Sequence, residues 1–334
     1  MSLYRSIIRQ SFIIAWKHKY LWFFGLFATF LASNFEIELV DKFLNRQSST
    51  IYDWQRWADT GVFSFRAWGN FVTMAKTDTW SFVSILVIFL VLVIIFLALL
   101  WLAVVSQGAL VNNSQRALVE GAKTISATER KHDTSIGFSE GRKKFWPILG
   151  VNFFVRLIVY ILALITIAPI AISQSVSVVM SLIYFVVFIV LLVIALILAF
   201  ITKYAVAYIV LKNQALGQSV MSAWKLFKSN WLVSLEMTFI LFAISIVYSI
   251  ALIIAVLVVA IPIAIFYVLS LLVSSFALFL VAFILGMIII LGIIVIGGSV
   301  LTVVQTTAWV SLFSQLTSGK GPDSKLERIF NDVI

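Results

Sequence analysis

The sequence predicts an all-α, polytopic membrane protein: six transmembrane helices forming three tandem hairpins, with both termini on the cytoplasmic side. Three observations predict it. The chain is 62% hydrophobic and 11% charged, with a mean hydropathy of +1.10, outside the range of a water-soluble domain. Runs such as "FVSILVIFLVLVIIFLALLWLAVV" (82–105) exceed the ~20 apolar residues that cross a bilayer core of about 30 Å, and they lack the polar stripe of a soluble core helix. Finally, "IIAWKHKYLW" (13–22) is echoed by "MSAWKLFKSNW" (221–231): the same lead-in is written twice.

Six crossings follow in order: 20–35, 81–108, 146–169, 179–208, 231–262 and 270–312. The first, "LWFFGLFATFLAS" (21–33), follows Arg5, Arg9, Lys17 and Lys19, as a secretory signal would. No A-x-A-like cleavage site follows it, and Phe35 and Glu36 come next, so it reads as a retained span. The last two are long helices expected to bend near Pro262. With no cysteine, disulfides and thiolate metal sites are excluded.

Charge gives the orientation. The N-terminus, the 109–145 loop, the 203–230 segment and the tail hold 18 of the 24 Lys and Arg. The 36–80 loop holds five, Lys42, Arg46, Arg56, Arg66 and Lys76, against six acids, and the other two outer connections hold none. Excess Lys and Arg marks the cytoplasmic face.

The even-numbered spans end alike: "ALVNNSQRALVEG" (109–121), "AYIVLKNQALG" (207–217) and "AWVSLFSQLTSG" (308–319). Each runs from Ala through a polar-studded turn to a Gln and then a Gly, placing Gln115, Gln214 and Gln315, with Gly121, Gly217 and Gly319, at exits about 100 residues apart. A looser lead-in, "GFSEGRKKFWP" (137–147), completes a set of three. Any inner-face helix end collects Trp, Lys, Gln and Gly, but here the order is shared as well as the composition. The single transmembrane domain, 1–334, therefore divides into repeat one (1–121, with outer loop 36–80), repeat two (122–217), repeat three (218–319) and a cytoplasmic tail (320–334). All three start inside, so the repeats are parallel rather than inverted. Trp22, Trp146 and Trp231, with Lys17, Lys144, Lys225 and Lys228, are the expected interfacial anchors. Pro147 suits the first turn of a helix, where its missing N–H costs nothing. Helices two and four are expected to keep helical character about a dozen residues past the bilayer edge, building a small cytoplasmic collar.

No catalytic constellation appears. His18 and His132 are the only histidines, without an H-E-x-x-H or a second ligand at metal spacing, and there is no G-x-S-x-G. "EGAKTIS" (120–126) lacks the Gly-Lys pair of a phosphate loop. Two ionisable residues lie within crossings, Arg156 and Glu236, and charges there face protein or water. They read either as a neutralising pair joining helices three and five or as a polar site for a headgroup or ion. The outer "IYDWQRWADTGVFSFRAWGNF" (51–71) reads as surface-lying aromatic helices or a partner-binding segment. Gly286, Gly292, Gly297 and Gly298 mark close helix packing.

The basic, aromatic turn "SAWKLFKSNW" leading into apolar helices resembles the membrane domain attached to some bacterial glycerophosphodiester phosphodiesterases, and related six-helix membrane proteins. In fused members the catalytic barrel is separate and soluble, and the 15 residues after Gly319 leave no room for one. No catalytic residue carries over. The resemblance implies a bacterial-type plasma-membrane module linked to lipid or envelope metabolism. The expected function is a non-catalytic module that binds lipid, anionic inner-leaflet lipid above all, or organises a protein partner at the collar or the outer loop. The alternative is a transporter or lipid-moving protein using Arg156 and Glu236. An enzyme lacks an acid, base and nucleophile together, and neither cofactor, metal nor nucleic acid is expected, since anionic lipid accounts for the net charge of +10.

Overall fold

A computed structural model describes residues 3–29, 31, 69, 73–74, 76–120, 127–172, 178–273 and 275–318. Among these residues the regular structure is entirely helical: α1 (Leu3–Lys17), α2 (Leu21–Thr29), α3 (Thr79–Glu120), α4 (Ala127–Lys143), α5 (Phe145–Ile172), α6 (Val178–Lys212), α7 (Leu216–Ser229), α8 (Trp231–Leu272) and α9 (Phe276–Thr317). Five stretches are long and apolar enough to cross a membrane: Thr79–Glu120, Phe145–Leu162, Phe185–Lys212, Trp231–Leu272 and Phe276–Thr317. The chain is a multi-pass helical membrane protein. A backbone without water must pair all its own N–H and C=O groups, and a helix does so within one segment. The first expected crossing is represented by the nine residues of α2, too few to span on their own.

Boundaries differ from expectation at informative places. α8 runs through Pro262 and on to Leu272, past the expected edge at 262, and the Ser275 hydroxyl caps α9 by accepting from the Leu278 N–H at 3.4 Å. α3 runs twelve residues beyond the expected edge at 108, in line with a helical projection past the bilayer. α6 does not, stopping at Lys212, because Asn213 adopts φ 54°, a left-handed conformation that Asn tolerates better than most side chains. The Gln214 N–H then reaches the Tyr208 carbonyl at 3.4 Å, a loose version of a Schellman closure. The outer aromatic segment, apart from Gly69, lies outside the described residues.

The chain divides into two compact units, Met1–Ala32 with Ala103–Val151 and Phe200–Ile334, and Ser33–Leu102 with Asn152–Ala199. In the second unit the N-terminal stretch of α3 exposes Val83 and the run from Ile85 to Leu97, the pattern of a lipid-facing helix. The first unit holds a core of Ile14 and Ala15 from α1, Leu21, Phe24 and Ala28 from α2, Ala109, Leu110 and Ala117 from α3, and Val303 and Val304 from α9. α1 buries Tyr4, Ile7, Ser11, Ile14 and Ala15, the three-and-four spacing of an amphipathic helix, while Arg5, Arg9 and Lys17 stay exposed.

The second half of α9 is the hub of this unit. Ser299 donates to the Trp22 carbonyl, Thr302 pairs with Thr29 at 2.8 Å, Gln305 Nε2 donates to Ser245 at 2.8 Å, and Thr307 pairs with Ser114 at 3.1 Å. Trp309 packs on Phe200 and Tyr204, and Phe313 sets its edge on Tyr208 with centroids 4.9 Å apart. One helix thereby contacts α2, α3, α6 and α8 through polar or aromatic side chains. Packing and interhelical hydrogen bonds hold helices together where lipid supplies no hydrophobic drive.

Candidate functional site

α2, α5 and α8 each follow another helix, α1, α4 and α7, after a break of one to three residues, here called an elbow. In the first, His18–Tyr20 break the chain, and the Trp22 indole N–H reaches back to the Ala15 carbonyl at 2.7 Å. In the second, only Lys144 separates α4 from α5. In the third it is Asn230, whose N–H bonds the Leu226 and Phe227 carbonyls and whose own carbonyl accepts from Ser234. A Trp follows each elbow within two residues. Trp146 and Trp231 are 76% and 55% exposed, as interfacial anchors would be. Trp22 instead is half-buried and set against Trp16, so it staples its elbow. Lys17, Lys225 and Lys228 are exposed or half-exposed at the helix surface and Lys144 is half-buried.

Glu236 of α8, half-buried in the first unit, accepts a 2.6 Å hydrogen bond from the Tyr4 hydroxyl of α1, and two residues earlier Ser234 meets Tyr204 of α6 at 2.7 Å. Arg156 is half-buried in α5, within the second unit. Burial, then the bond to Glu236, raises the Tyr4 pKa above the ordinary value of 10.0. The hydroxyl is therefore held in its neutral, donating form. A raised pKa contributes stability that is complete below the unfolded-state value and is lost as pH climbs toward the folded one. Tyr4→Phe removes a hydrogen bond to a charged group, worth about 1.5–3 kcal/mol. It is expected to lower the thermal midpoint at neutral pH and to remove Tyr4's share of the stability lost as pH rises above 10, read by unfolding in detergent across pH.

The exits converge on a second polar feature. A cleft of about 380 Å³ is lined by Asn112, Gln115 and Arg116 of α3, Glu140 of α4, the 210–213 stretch that ends α6, and Phe313, Ser314 and Thr317 of α9. Three stretches read from the sequence as equivalent exits thus line one cavity. Gln115 lies within α3, Gln214 just past α6 and Gln315 in the last turn of α9, each half-buried. In all three the side-chain oxygen is shielded from solvent and takes no hydrogen bond among the described residues, and the same holds for the Asn112 Nδ2. A buried, unmatched polar group costs about 1–3 kcal/mol. Gly217 is the second residue of α7 and has open space around it, whereas Gly121 and Gly319 lie outside the described residues.

The α3 and α4 backbones meet closely beside this cleft. A Cβ on Gly141 would collide with the Val105 carbonyl oxygen and stand 3.1 Å from the Ala109 nitrogen, and one on Gly137 would strike the buried Asn113 amide. The exit glutamines are legible in the sequence, whereas Glu140 and Lys212 as lining of the same cleft, and Tyr4 as the partner of Glu236, are not. "VNNSQR" was itself the available signal for the first of the cleft-lining segments: clustered amides and a cation where a span ends. Among the described residues no group of three or more His, Asp or Glu is placed to hold a metal ion. The chain matches no family model, no curated protein and no solved structure.

Proposed function

We propose that the chain is a non-catalytic membrane module of a bacterial-type plasma membrane whose cytoplasmic face binds lipid, in keeping with its resemblance to the membrane domain of glycerophosphodiester phosphodiesterases. The observation that carries this reading is α7 with its elbow. The helix buries Ser219 and Ala223, stacks Phe227 on Phe200 with centroids 5.2 Å apart, and leaves Met221 (58%) and Trp224 (45%) exposed next to Lys225 and Lys228, with the exposed Trp231 (55%) just past the elbow. Apolar side chains beside lysines on one surface fit a helix lying at the level of lipid headgroups. Insertion gains about 1.5–3 kcal/mol for each large apolar side chain removed from water, and about 1 kcal/mol for each Lys near an anionic surface. The three lead-in and exit sets are read as parallel repeats with both termini inside, which puts every such elbow on one leaflet.

Native mass spectrometry after gentle solubilisation, with lipid identification, tests the proposal. The parent is expected to retain anionic lipid, and the pair Lys225→Gln with Lys228→Gln to lose most of it while its unfolding midpoint stays put. Retention of bulk lipids only, unchanged in the double variant, contradicts lipid binding at this face.

A further inference from the structure

The first lead-in helix, α1, carries a stripe whose chemistry fits one class of lipid. Arg5, Arg9, Phe12 and Trp16 follow one another along it. At about 100° of turn per residue, their Cβ atoms fall within roughly 60° of arc on one face of the helix. All four are exposed, Trp16 the most at 67%, while Ile7, Ser11 and Ile14 on the other side are buried. We infer that this stripe binds an anionic lipid whose headgroup carries two phosphates, with the arginines on the phosphates and the aromatic rings along an acyl chain. The inference rests on the lipid-binding reading and adds to it the class of lipid and a second place on the chain.

Charge argues for the phosphates. α1 contains no acidic residue, and none occurs in the chain before Glu36. Neither guanidinium takes a hydrogen bond or ion pair among the described residues. Glu236 touches α1 through Tyr4, which is buried and lies about 100° round the helix from Arg5. A phosphodiester has two non-bridging oxygens, and the fork of a single guanidinium takes both. A second fork one turn further on, about 6 Å along the axis, is matched by a second phosphate. Arginine at both places agrees, because its planar fork reads phosphate geometry where an ammonium acts as a point charge.

Position argues for a lipid. Tyr4 donates to Glu236, which stands about 7.5 Å along α8 from the exposed Trp231. The arginine end of the stripe is thereby held near the third elbow, the level proposed for the headgroups. The aromatic end continues into the first elbow, where Trp16 meets Trp22 with centroids 5.8 Å apart and Phe23 is exposed. Phosphate-binding groups at one end of the stripe and aromatic surface at the other match the two ends of a lipid. A soluble diphosphate would use the arginines and leave the rings in water.

The full chain in nanodiscs tests it. The bilayer is phosphatidylcholine with diphosphatidylglycerol and phosphatidylglycerol at equal total charge, and native mass spectrometry reads which lipids stay bound. Diphosphatidylglycerol is expected to be retained about tenfold over phosphatidylglycerol. Arg5→Gln with Arg9→Gln is expected to abolish that preference with the unfolding midpoint retained. Arg5→Lys with Arg9→Lys keeps the charge but loses the forks, and is expected to abolish it too. Lys225→Gln with Lys228→Gln is expected to keep it, so that a failure at α7 and a failure at α1 are separate results. Equal retention of the two anionic lipids by the parent, or a preference that survives either arginine double variant, overturns the proposal. So does a dimer that falls to monomer in Arg5→Gln with Arg9→Gln, which gives the stripe to a second copy. Retention of no anionic lipid by the parent overturns both this proposal and the lipid-binding reading.

Discussion

Replacing Gly141 by alanine is expected to unfold the α3–α4 junction. The added methyl would meet the Val105 carbonyl oxygen and the Ala109 amide nitrogen, which are backbone atoms in the interior of a 42-residue helix. A flexible side chain could turn aside, but these atoms cannot move without breaking α3. α4 must retreat instead, and its retreat unseats Gly137 from the Asn113 amide and Ile148 from Gly108. Overpacking usually costs about 1–3 kcal/mol, and a collision with backbone belongs at or above the top of that range. The thermal midpoint in detergent should fall sharply, and hydrogen exchange along 105–113 should accelerate. Gly217→Ala is the control: nothing lies within 4 Å of the place its Cβ would take, so it should be neutral or slightly stabilising.

The second large effect is expected at Gly25. A Cβ there would lie 2.6 Å from the Ser299 carbonyl oxygen and 2.8 Å from the Val303 Cγ2, so α2 lies directly on the α9 hub. Gly25→Leu would lever α2 away and break the Thr29–Thr302 pair and the bond from Ser299 to the Trp22 carbonyl. A loss above about 3 kcal/mol is expected, measured as a lower unfolding midpoint. Gly292→Ala, in the same α9 but with nothing within 4 Å, should be tolerated. An equal loss at both positions would mean that α2 does not dock on α9 as described.

These two glycines show where the sequence is legible and where it is not. Fold class and five of the six crossings are evident because a span's signal is local: some twenty apolar residues with no charge announce themselves. The break after Lys212 is not, because it depends on a left-handed Asn, and Asn213 looks like any other polar residue beyond a span. Close approach is expected among the glycines of the last apolar helix. There Gly286 and Gly297 do meet α8 side chains, of Ile263 and Leu252, whereas Gly292 and Gly298 meet nothing. The tighter contact is written in "GFSEG", a G-x-x-x-G spacing over 137–141, and escapes notice because it lies in a polar lead-in. The partnership of Tyr4 with Glu236, 232 residues apart, has no local signature at all. The exit glutamines stand out by their order in the chain, but only three-dimensional placement gathers the 112–116, 210–213 and 313–317 stretches around one cleft.

The proposed multi-pass module has its elbows and exits together on the cytoplasmic face. It is tested most directly by cysteine labelling, for which a cysteine-free chain is already suited. Single cysteines at Lys143, Lys228 and Ser318 occupy the elbow and exit ends, and one at Val273 occupies the turn between α8 and α9. With a membrane-impermeant maleimide on intact cells, the account predicts labelling at position 273 alone, the other three reacting only after permeabilisation. Labelling of any of those three from outside, or protection of position 273 until the membrane is opened, would contradict it.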